Sequence, residues 1–432
     1  MKRIVLTFVA VLAAGGPVLG ETVALVGGTV HRVDAPVIAN GTVILADGRI
    51  AVVGAGVTVP AGARVVDVSG RHVYPSLFAP VTAIGLMEIG AVRESLDVTE
   101  FGEINPEARA DLAVNFDSEL LPVTRSGGVL IAAVTPAGGL VSGSAAVMKL
   151  DGWTREDSTV KAPAAIAVNW PDLHIDRSPT TRLSVRLQEK RRDEAVRKLK
   201  EVFADARAYA RARTTEGKAG VPSHDFDPKL EALVPAVEKQ IPVVVSAPHI
   251  QQIRAALAWA KAEDLRLVLA DADDAWRIAD DLVRADVPVI VDALTLPARS
   301  DEAYDTTFAA AGVLVKAGVR VALKVGGPGP GGASFVRNLA HQASMAVAFG
   351  LPEDKALEAI TLEPARIYGV DDRVGSIAPG KNATLIVTDG DVLDLRSSVV
   401  AAFVDGRELD LSDRHKRLYE RYRHRPKVEA GP

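Results

Sequence analysis

Residues 241–293 read IPVVVSAPHIQQIRAALAWAKAEDLRLVLADADDAWRIADDLVRADVPVIVDA and alternate short apolar runs with longer amphipathic segments. Three runs are rich in valine and leucine: IPVVVSA (241–247), LRLVLAD (265–271) and VPVIVDA (287–293). The segments between them, IQQIRAALAWAKAED and DDAWRIADDLVRAD, place apolar residues at helical spacing. Strands that are apolar on both faces and are separated by helices indicate a parallel sheet.

The same alternation continues on both sides of this stretch. VRVALKV (319–325) provides a further strand, and SLFAPVT (76–82), GVLIAAVT (128–135) and AAIAVNW (164–170) provide earlier ones. Alternation sustained over this length favours a closed barrel over an open sheet. The sequence therefore predicts an α/β fold with a (β/α)₈ TIM-like barrel, although it does not fix the positions of all eight strands.

Two β-rich segments flank the predicted barrel. Residues 22–73 contain short strands around glycine turns, including the hairpin signal Asp47-Gly48, and VVAAFVDGREL near the carboxyl end repeats it at Asp405-Gly406. We expect residues 21–73 and 373–411 to form one composite β-sandwich, into which the barrel (74–372) is inserted. Residues 412–432 form a basic, partly helical tail.

Composition limits the classes of function. The chain has 432 residues, of which 48% are hydrophobic, and its formal charge is −5. This length is sufficient for one large domain and a smaller one, and the acidic balance argues against a nucleic-acid partner. The chain has no cysteine, which excludes disulfides, thiolate nucleophiles and cysteine-ligated metals.

The first twenty residues are typical of a secretory signal peptide. Lys2 and Arg3 precede an apolar run that ends at Ala14, and small residues lead to a cleavage position after Gly20. The run is too short to span a bilayer, so we expect no membrane span after cleavage. Loss of the two cations lowers the formal charge from −5 to −7. Export without disulfides suggests a periplasmic location.

Residues 185–213 predict a long and highly charged helix with a partial apolar stripe. Three roles are open for this helix. It packs on the protein through that stripe, it is an extended helix of the barrel, or it forms a contact surface. Residues 90–125 are acidic and lack sustained periodicity, so they predict an irregular excursion.

The stretch AITLEPARIYGVDDRVGSIAPGKNATLIVTDGD (359–391) resembles the amidohydrolase superfamily, in its exported imidazolonepropionase-like branch. Gly375, Pro379, Gly380 and Lys381 stand where that family's pattern places them, whereas Thr384 replaces its usual aspartate. The segments INPEARADLAVNFDSELLPVTRSGGV and PAGGLVSGSAAVMKLDGWTREDSTVKAP are similar to the same branch. These motifs are features of the fold, and they do not imply catalytic activity.

The resemblance implies metal ligands that this sequence lacks. The family carries two histidines at the end of its first barrel strand, where this chain has Val81 and Ala83. Its fifth-strand histidine aligns with Pro248, one residue before His249, and its eighth-strand aspartate falls in the glycine loop at Gly327. Such ligands hold a metal that activates water. We therefore expect no bound cofactor, with one divalent metal such as zinc as the alternative.

Eight histidines occur, and none forms an H-x-H or H-E-x-x-H pair. His31 and His72 belong to the predicted sandwich, His341 to a helix, His415 and His424 to the tail, and His174 and His224 to loops. The remaining candidates follow consecutive predicted strands: His249, Asp271, Asp273 and Asp292. They predict either helix capping, for which Asp273 is well placed, or a weak oxygen-rich cation site or polar ligand pocket.

Two hypotheses follow for function. The first is a non-catalytic amidohydrolase homologue that binds a ligand or pairs, as a homo- or hetero-oligomer, with an active relative. The second is an active metal-dependent hydrolase of C–N bonds, acting on cyclic amides or peptides, with a remodelled site around His249 and the aspartates.

Overall fold

The computed structural model describes residues 21–178, 180–214, 225–292, 302–327 and 332–424. The predicted signal peptide, His224 and the end of the basic tail lie outside these ranges. Within them, no helix is both long enough and apolar enough to cross a membrane.

The two ends of the chain build one mixed eight-stranded sheet. Its amino-terminal strands are β1 (Val23–Val30), β2 (Ile38–Ala46), β3 (Arg49–Ala55), β4 (Arg64–Asp67) and β5 (His72–Pro75). The hairpin predicted at Asp47-Gly48 joins β2 to β3, and both turn residues have positive φ, 50° and 75°. Such angles are those of a two-residue hairpin turn that matches strand twist.

The middle of the chain forms the second eight-stranded sheet. Its strands are β6 (Leu77–Thr82), β7 (Val129–Val134), β8 (Val141–Lys149), β9 (Thr159–Asn169), β10 (Val243–Ser246), β11 (Leu267–Ala270), β12 (Val289–Val291) and β13 (Val321–Leu323). They follow one another in chain order, and β13 also contacts β6, so the sheet nearly closes into a barrel. The predicted TIM-like barrel is confirmed.

One barrel strand departs from the (β/α)₈ pattern. β8 runs antiparallel to both neighbours, β7 and β9. The links before and after it, residues 135–140 and 150–158, are too short for a full crossover helix, and parallel strands need a dozen or more residues between them. The chain therefore reverses twice, and seven strands remain parallel.

The carboxyl-terminal strands return to the first sheet. They are β14 (Leu385–Thr388), β15 (Val399–Val404) and β16 (Arg407–Glu408). β14 pairs antiparallel with β5, so the sheet order is β16-β15-β14-β5-β1-β2-β3, and β4 pairs with β1. The second predicted hairpin, at Asp405-Gly406, connects β15 to β16.

The helices lie mainly around the barrel. They are α1 (Ala110–Ala113), α2 (Leu120–Ser126), α3 (Arg155–Ser158), α4 (Val185–Arg213), α5 (Pro228–Val237), α6 (Ile250–Ala262), α7 (Ala279–Ala285), α8 (Thr306–Ala317), α9 (Gly332–Phe335), α10 (Leu339–Ala348), α11 (Glu353–Ala359), α12 (Leu362–Tyr368) and α13 (Arg414–Arg423). The long charged helix predicted over residues 185–213 is α4. It buries Leu199, Phe203, Ala206 and Ala210, so it packs through one face.

A hydrophobic cluster fills the barrel interior. Phe78, Val81, Ile131 and Val244 point into it from the strands, and Tyr368 of α12 joins them. The Tyr368 hydroxyl donates to the carbonyl of Pro80, and its ring lies 6.0 Å from that of Phe78. The interior is therefore packed with side chains, which leaves chemistry to the strand ends.

Candidate functional site

The end of the first barrel strand contributes only carbon side chains at the two positions singled out in the sequence. Val81 is 4% exposed and packs in the barrel interior, and Ala83 is fully buried in the cluster between barrel and helices. Between them, the buried carbonyl of Thr82 accepts the backbone N–H of Thr135 at 2.8 Å. Neither the Val81 nor the Ala83 side chain has a lone pair to offer a metal or a substrate.

His249 lies in the loop between β10 and α6. Its backbone N–H donates to the Gln252 side chain at 3.1 Å, and its carbonyl accepts from Ile253 at 2.9 Å, so its backbone begins α6. The residue lines a small pocket, of about 220 Å³, together with Asp172 and His174. The structure therefore places beside His249 a second histidine that the sequence assigned only to a loop.

The loop after β11 forms a tight turn. Asp271 adopts a left-handed conformation, with φ of 50°, and the Asp273 N–H donates to the Asp271 carbonyl at 3.1 Å. The carboxylate that caps a helix here is that of Asp274, which accepts the Ile250 N–H of α6 at 2.9 Å. The turn therefore directs Asp274 toward the preceding helix, α6. The capping role proposed for Asp273 stays a prediction.

An ion pair connects the ends of the sixth and eighth barrel strands. Asp271 is the first residue after β11, and Lys324 is the first residue after β13. The Lys324 ammonium donates to the Asp271 carboxylate and, at 2.8 Å, to the Gly326 carbonyl. The Lys324 side chain is only 4% exposed, whereas that of Asp271 is 32% exposed. The ammonium is therefore enclosed beneath a carboxylate that reaches the solvent.

The seventh strand adds a second carboxylate to the same network. Asp292 follows β12 directly and accepts the Gly326 N–H at 2.7 Å and the Gln342 amide at 2.6 Å. The same Gln342 nitrogen donates to the Lys324 carbonyl at 2.6 Å. Gln342 is fully buried in α10, and its Oε1 has no hydrogen-bond partner among the described residues. Strands β11, β12 and β13 are therefore tied together at their carboxyl ends.

Comparison with known proteins shows what part of this chain is similar to a known family. The sequence profile of the amidohydrolase family matches residues 250–409, which span the last three barrel strands and the return to the first sheet. Over this range the chain carries an amidohydrolase-family domain. Its proposed site residues Asp271, Asp273 and Asp292, as well as Lys324 and Gln342, lie inside the matched range.

Solved structures extend the likeness over most of the chain. The crystal structure of an amidohydrolase from Thermotoga maritima MSB8 superposes with a TM-score of 0.79 at 25% identity, over 90% of this chain and 99% of that one. Molinate hydrolase matches with a TM-score of 0.54 at 18% identity, over 91% and 95%. Phenylurea hydrolase B matches with 0.54 at 17%, over 90% and 97%. The last two show likeness of fold alone. No curated protein matches the sequence.

The charge state of Asp271 follows from its surroundings. Burial raises the pKa of this carboxyl, but attraction to Lys324 and hydrogen bonds from Lys324 and Ser246 outweigh burial. The pKa of Asp271 therefore lies below its usual value, and the group is ionised at neutral pH. The mouth holds a fixed ammonium and a fixed carboxylate.

The sequence-predicted residues divide into two groups in this amidohydrolase fold. Asp271 and Asp292 belong to one network, which Lys324 and Gln342 complete, and His249 lines the pocket with Asp172 and His174. Lys324 and Gln342 were missed by sequence reasoning. The position of Lys324 directly after VAL of the eighth strand was the available signal, because that position faces the mouth. Within the described ranges, no three His, Asp or Glu side chains are arranged to hold a metal ion.

Gly327, the position that the sequence resemblance assigns to the family's eighth-strand aspartate, lies close to the Lys324 ammonium. A Cβ added at Gly327 would lie 3.5 Å from Lys324 Nζ. Pro248, the position that the resemblance assigns to the fifth-strand histidine, accepts the Asp274 N–H through its carbonyl at 3.1 Å. Both positions thus contribute backbone to the mouth, and neither contributes an ionisable side chain.

Proposed function

We propose that this chain is an amidohydrolase-fold protein without the binuclear metal centre, and that it acts by binding a ligand or an active relative. One observation carries the proposal: Val81 and Ala83, at the end of the first barrel strand, are buried carbon side chains. A catalytic metal needs three or four nitrogen or oxygen donors at short range. Two of those donors would have to come from these positions.

The chemistry of the other strand ends supports the same proposal. Both oxygens of Asp292 accept hydrogen bonds from Gly326 and Gln342. The Lys324 ammonium already forms an ion pair with Asp271. The carboxylates after the sixth and seventh strands are therefore already engaged and do not fit a two-metal centre, and we derive no step through one. We propose that the protein carries no cofactor.

A groove beside the barrel offers a place for the proposed binding. It has a volume of about 920 Å³ and lies between α4 and α6. Trp170 and Trp259, both nearly buried, contribute to its lining. Its charged residues are balanced, with the cations Arg192, Arg197 and Lys200 beside the acids Asp193, Glu201 and Glu263. Apolar surface bordered by charges of both signs is suited to a partner segment that carries both signs. Because the first twenty residues predict export, we propose that this binding takes place in the periplasm.

Elemental analysis and an amide-hydrolysis screen test the proposal. The mature protein, expressed with export and again after incubation with zinc and manganese, is expected to hold less than about 0.1 metal ion per chain at equilibrium, since tight sites need several donors. It is expected to hydrolyse neither cyclic amides nor dipeptides. Near-stoichiometric metal together with amide cleavage would overturn the proposal.

A second candidate function has one observation in its favour. Asp172, His174 and His249 line one pocket at the ends of the fourth and fifth strands, so imidazole and carboxylate groups do occur at the mouth. Under this alternative the chain is an active hydrolase of C–N bonds with one divalent metal such as zinc. If this alternative holds, the Asp271→Ala and His249→Ala variants each lose the bound metal and the hydrolytic activity together. His341→Ala, on α10, is the control that retains both.

Binding to an active relative, the second part of the proposal, needs a separate test. Arg192→Glu and Lys200→Glu reverse the charge of two groove residues on α4. If the groove receives a charged segment of an active relative, these changes reduce co-purification with that relative by tenfold or more, since several rim charges act together. Arg421→Glu, on the exposed helix α13, is the matched control. Equal recovery by all variants would exclude the groove as the contact.

A further inference from the structure

Helix α13 presents its apolar face away from the protein. Its sequence, RHKRLYERYR, places His415, Leu418, Tyr419 and Tyr422 within an arc of about 100° on a helix of 3.6 residues per turn. On a surface helix such a stripe normally packs against the core. Here every residue of α13 is exposed, Tyr419 by 64% and Tyr422 by 60%.

The opposite side of α13 faces the protein. Arg417, on the far side of the helix from the tyrosines, donates to the carboxylate of Glu119, at the start of α2, at 3.5 Å. The Asp413 carboxylate begins the helix by accepting the Lys416 N–H at 2.9 Å, and Asp413 itself is buried. The helix is therefore attached through its first turn and its charged side, and the tyrosines remain outside.

Cations border the exposed face on both sides. At helical spacing, Arg414 and Arg421 follow one border, and Lys416 and Arg423 follow the other. The five cations and one acid of α13 give it a formal charge of +4, whereas the whole chain carries −5. The helix is therefore a local basic element that complements a negatively charged surface.

The tyrosine rings and the bordering cations lie side by side. The Arg421 guanidinium is 5.5 Å from the centre of the Tyr422 ring, and that of Arg423 is 5.7 Å from the centre of the Tyr419 ring. Helices that lie in a membrane interface combine these features, with aromatic rings at the level of the headgroups and cations beside acidic lipids.

We infer that α13 binds the surface of an anionic phospholipid bilayer through Leu418, Tyr419 and Tyr422, the tyrosine face, with the bordering cations on the lipid phosphates. The helix lies on the bilayer and does not cross it. This inference concerns a surface remote from the barrel mouth, and it does not depend on the absence of a metal centre.

The size of the tyrosine face favours lipid over a protein partner. Its three side chains expose about 300 Å², as judged from the area of an aromatic residue. One side of a stable protein interface contributes about 800 Å². A bilayer sets no such minimum, because burial of a few side chains adds to the attraction between cations and lipid phosphates.

Co-sedimentation with vesicles tests the inference. The mature protein is expected to bind vesicles of equimolar phosphatidylglycerol and phosphatidylcholine at least tenfold more tightly than vesicles of phosphatidylcholine alone, because several cations contribute. Tyr419→Ser/Tyr422→Ser, which keeps every charge, and Arg414→Gln/Arg423→Gln, which keeps both rings, are each expected to weaken binding by about tenfold. Tyr304→Ser, at a tyrosine that is 79% exposed outside α13, is the matched control and binds as the wild type does.

A site-specific label reports which face of α13 meets the lipid. The chain has no cysteine, so a single introduced cysteine carries the label alone. The emission of an environment-sensitive fluorophore on Tyr422→Cys is expected to shift to the blue when the anionic vesicles are added. The same fluorophore on Glu420→Cys, on the opposite face, is expected to shift little.

Several results would overturn the inference. One is a wild-type protein that does not bind the anionic vesicles. Others are undiminished binding by Tyr419→Ser/Tyr422→Ser and equal shifts at the two labelled positions, since both mean adsorption by charge alone. Binding to heparin but not to vesicles would assign the helix to an acidic polymer instead. None of these outcomes involves metal content or amide cleavage, so failure here leaves the proposed function untouched.

Discussion

Nε2 of His31 lies 2.9 Å from Nδ1 of His72, where the chain leaves β1 beside β5. The two rings stack at 5.1 Å, and Tyr74 stacks on His31 at 4.1 Å. A hydrogen bond between two imidazoles requires that at least one of them is neutral. The first sheet therefore contains a contact that depends on the protonation of histidine.

This contact predicts a loss of stability in mild acid. Burial and the neighbouring His72 lower the pKa of His31 from 6.5 to about 4, against a weaker opposing effect of Asp391. Above pH 6.5 His31 is neutral in both states and full stability is present. Between pH 6.5 and about 4 only the unfolded state takes up the proton, so the free energy of unfolding falls, by roughly 2–3 kcal/mol at most.

Urea denaturation at several pH values between 7.5 and 4 measures this effect. His31→Gln is expected to flatten the pH dependence in that window, whereas His415→Gln, on the exposed helix α13, leaves it unchanged. An identical slope for wild type and His31→Gln would show that other groups cause the acid sensitivity.

The ion pair at the barrel mouth predicts non-additive mutations. Asp271→Asn leaves a buried ammonium without its counter-charge and is expected to cost about 3 kcal/mol. Lys324→Met/Asp271→Asn removes both charges and is expected to recover most of that loss, since paired buried charges contribute little net stability. Chemical denaturation of the single and double variants measures the coupling. Additive losses would mean that the two side chains do not depend on each other.

Gly143 predicts a steric requirement in the antiparallel strand β8. A Cβ at this position would lie 2.6 Å from the carbonyl oxygen of Ala108, which also accepts the Ser144 N–H at 2.7 Å. Gly143→Ala therefore has to displace the acidic excursion from the barrel, at a cost of about 2 kcal/mol or more. Gly62→Ala is the control, because its φ is also positive, at 82°, but nothing lies within 4 Å of the new Cβ.

We expect Gly62→Ala to cost only about 1 kcal/mol, the usual penalty of a left-handed alanine. Limited proteolysis distinguishes the two variants: cleavage within residues 90–125 should increase for Gly143→Ala alone. Equal susceptibility would indicate that the excursion does not depend on the close approach at Gly143.

The anchoring of α4 predicts a strong difference between two positions of one helix. Phe203 is fully buried and meets the Trp259 ring edge-on at 4.9 Å, whereas Leu187 is 38% exposed. Phe203→Ala is expected to destabilise the protein by about 3–5 kcal/mol, and Leu187→Ala by less than about 1 kcal/mol. Thermal unfolding followed by circular dichroism compares them. Similar small effects would mean that α4 is not part of the cooperative core.

The sequence predicted the parts of the fold that local pattern determines. β10 to β13 are short valine-rich runs, and both hairpins carry Asp-Gly turns, so residue type alone indicated them. α4 was predicted with its observed bounds because its charge and apolar stripe persist for eight turns. β8 was missed because VSGSAAVMK buries small residues, which give a weak hydrophobic pattern although the strand is almost wholly buried.

The site could be predicted only in part, because its contacts join distant positions. Asp271 and Asp292 were found because each follows a recognisable strand. Their partners Lys324 and Gln342 lie 53 and 50 residues further along the chain, and no spacing rule connects them. The neighbourhood of His249 depends likewise on how two loops after β9 and β10 approach each other in space.

The order of strands in the first sheet has a consequence for biosynthesis. β5 lies between β1 and β14, so its second edge stays uncovered until the ribosome has delivered residues 385–388. An open strand edge is a template for aberrant pairing between chains. Nascent or prematurely terminated chains that stop short of β14 should therefore be insoluble or dependent on chaperones, even if their barrel is complete.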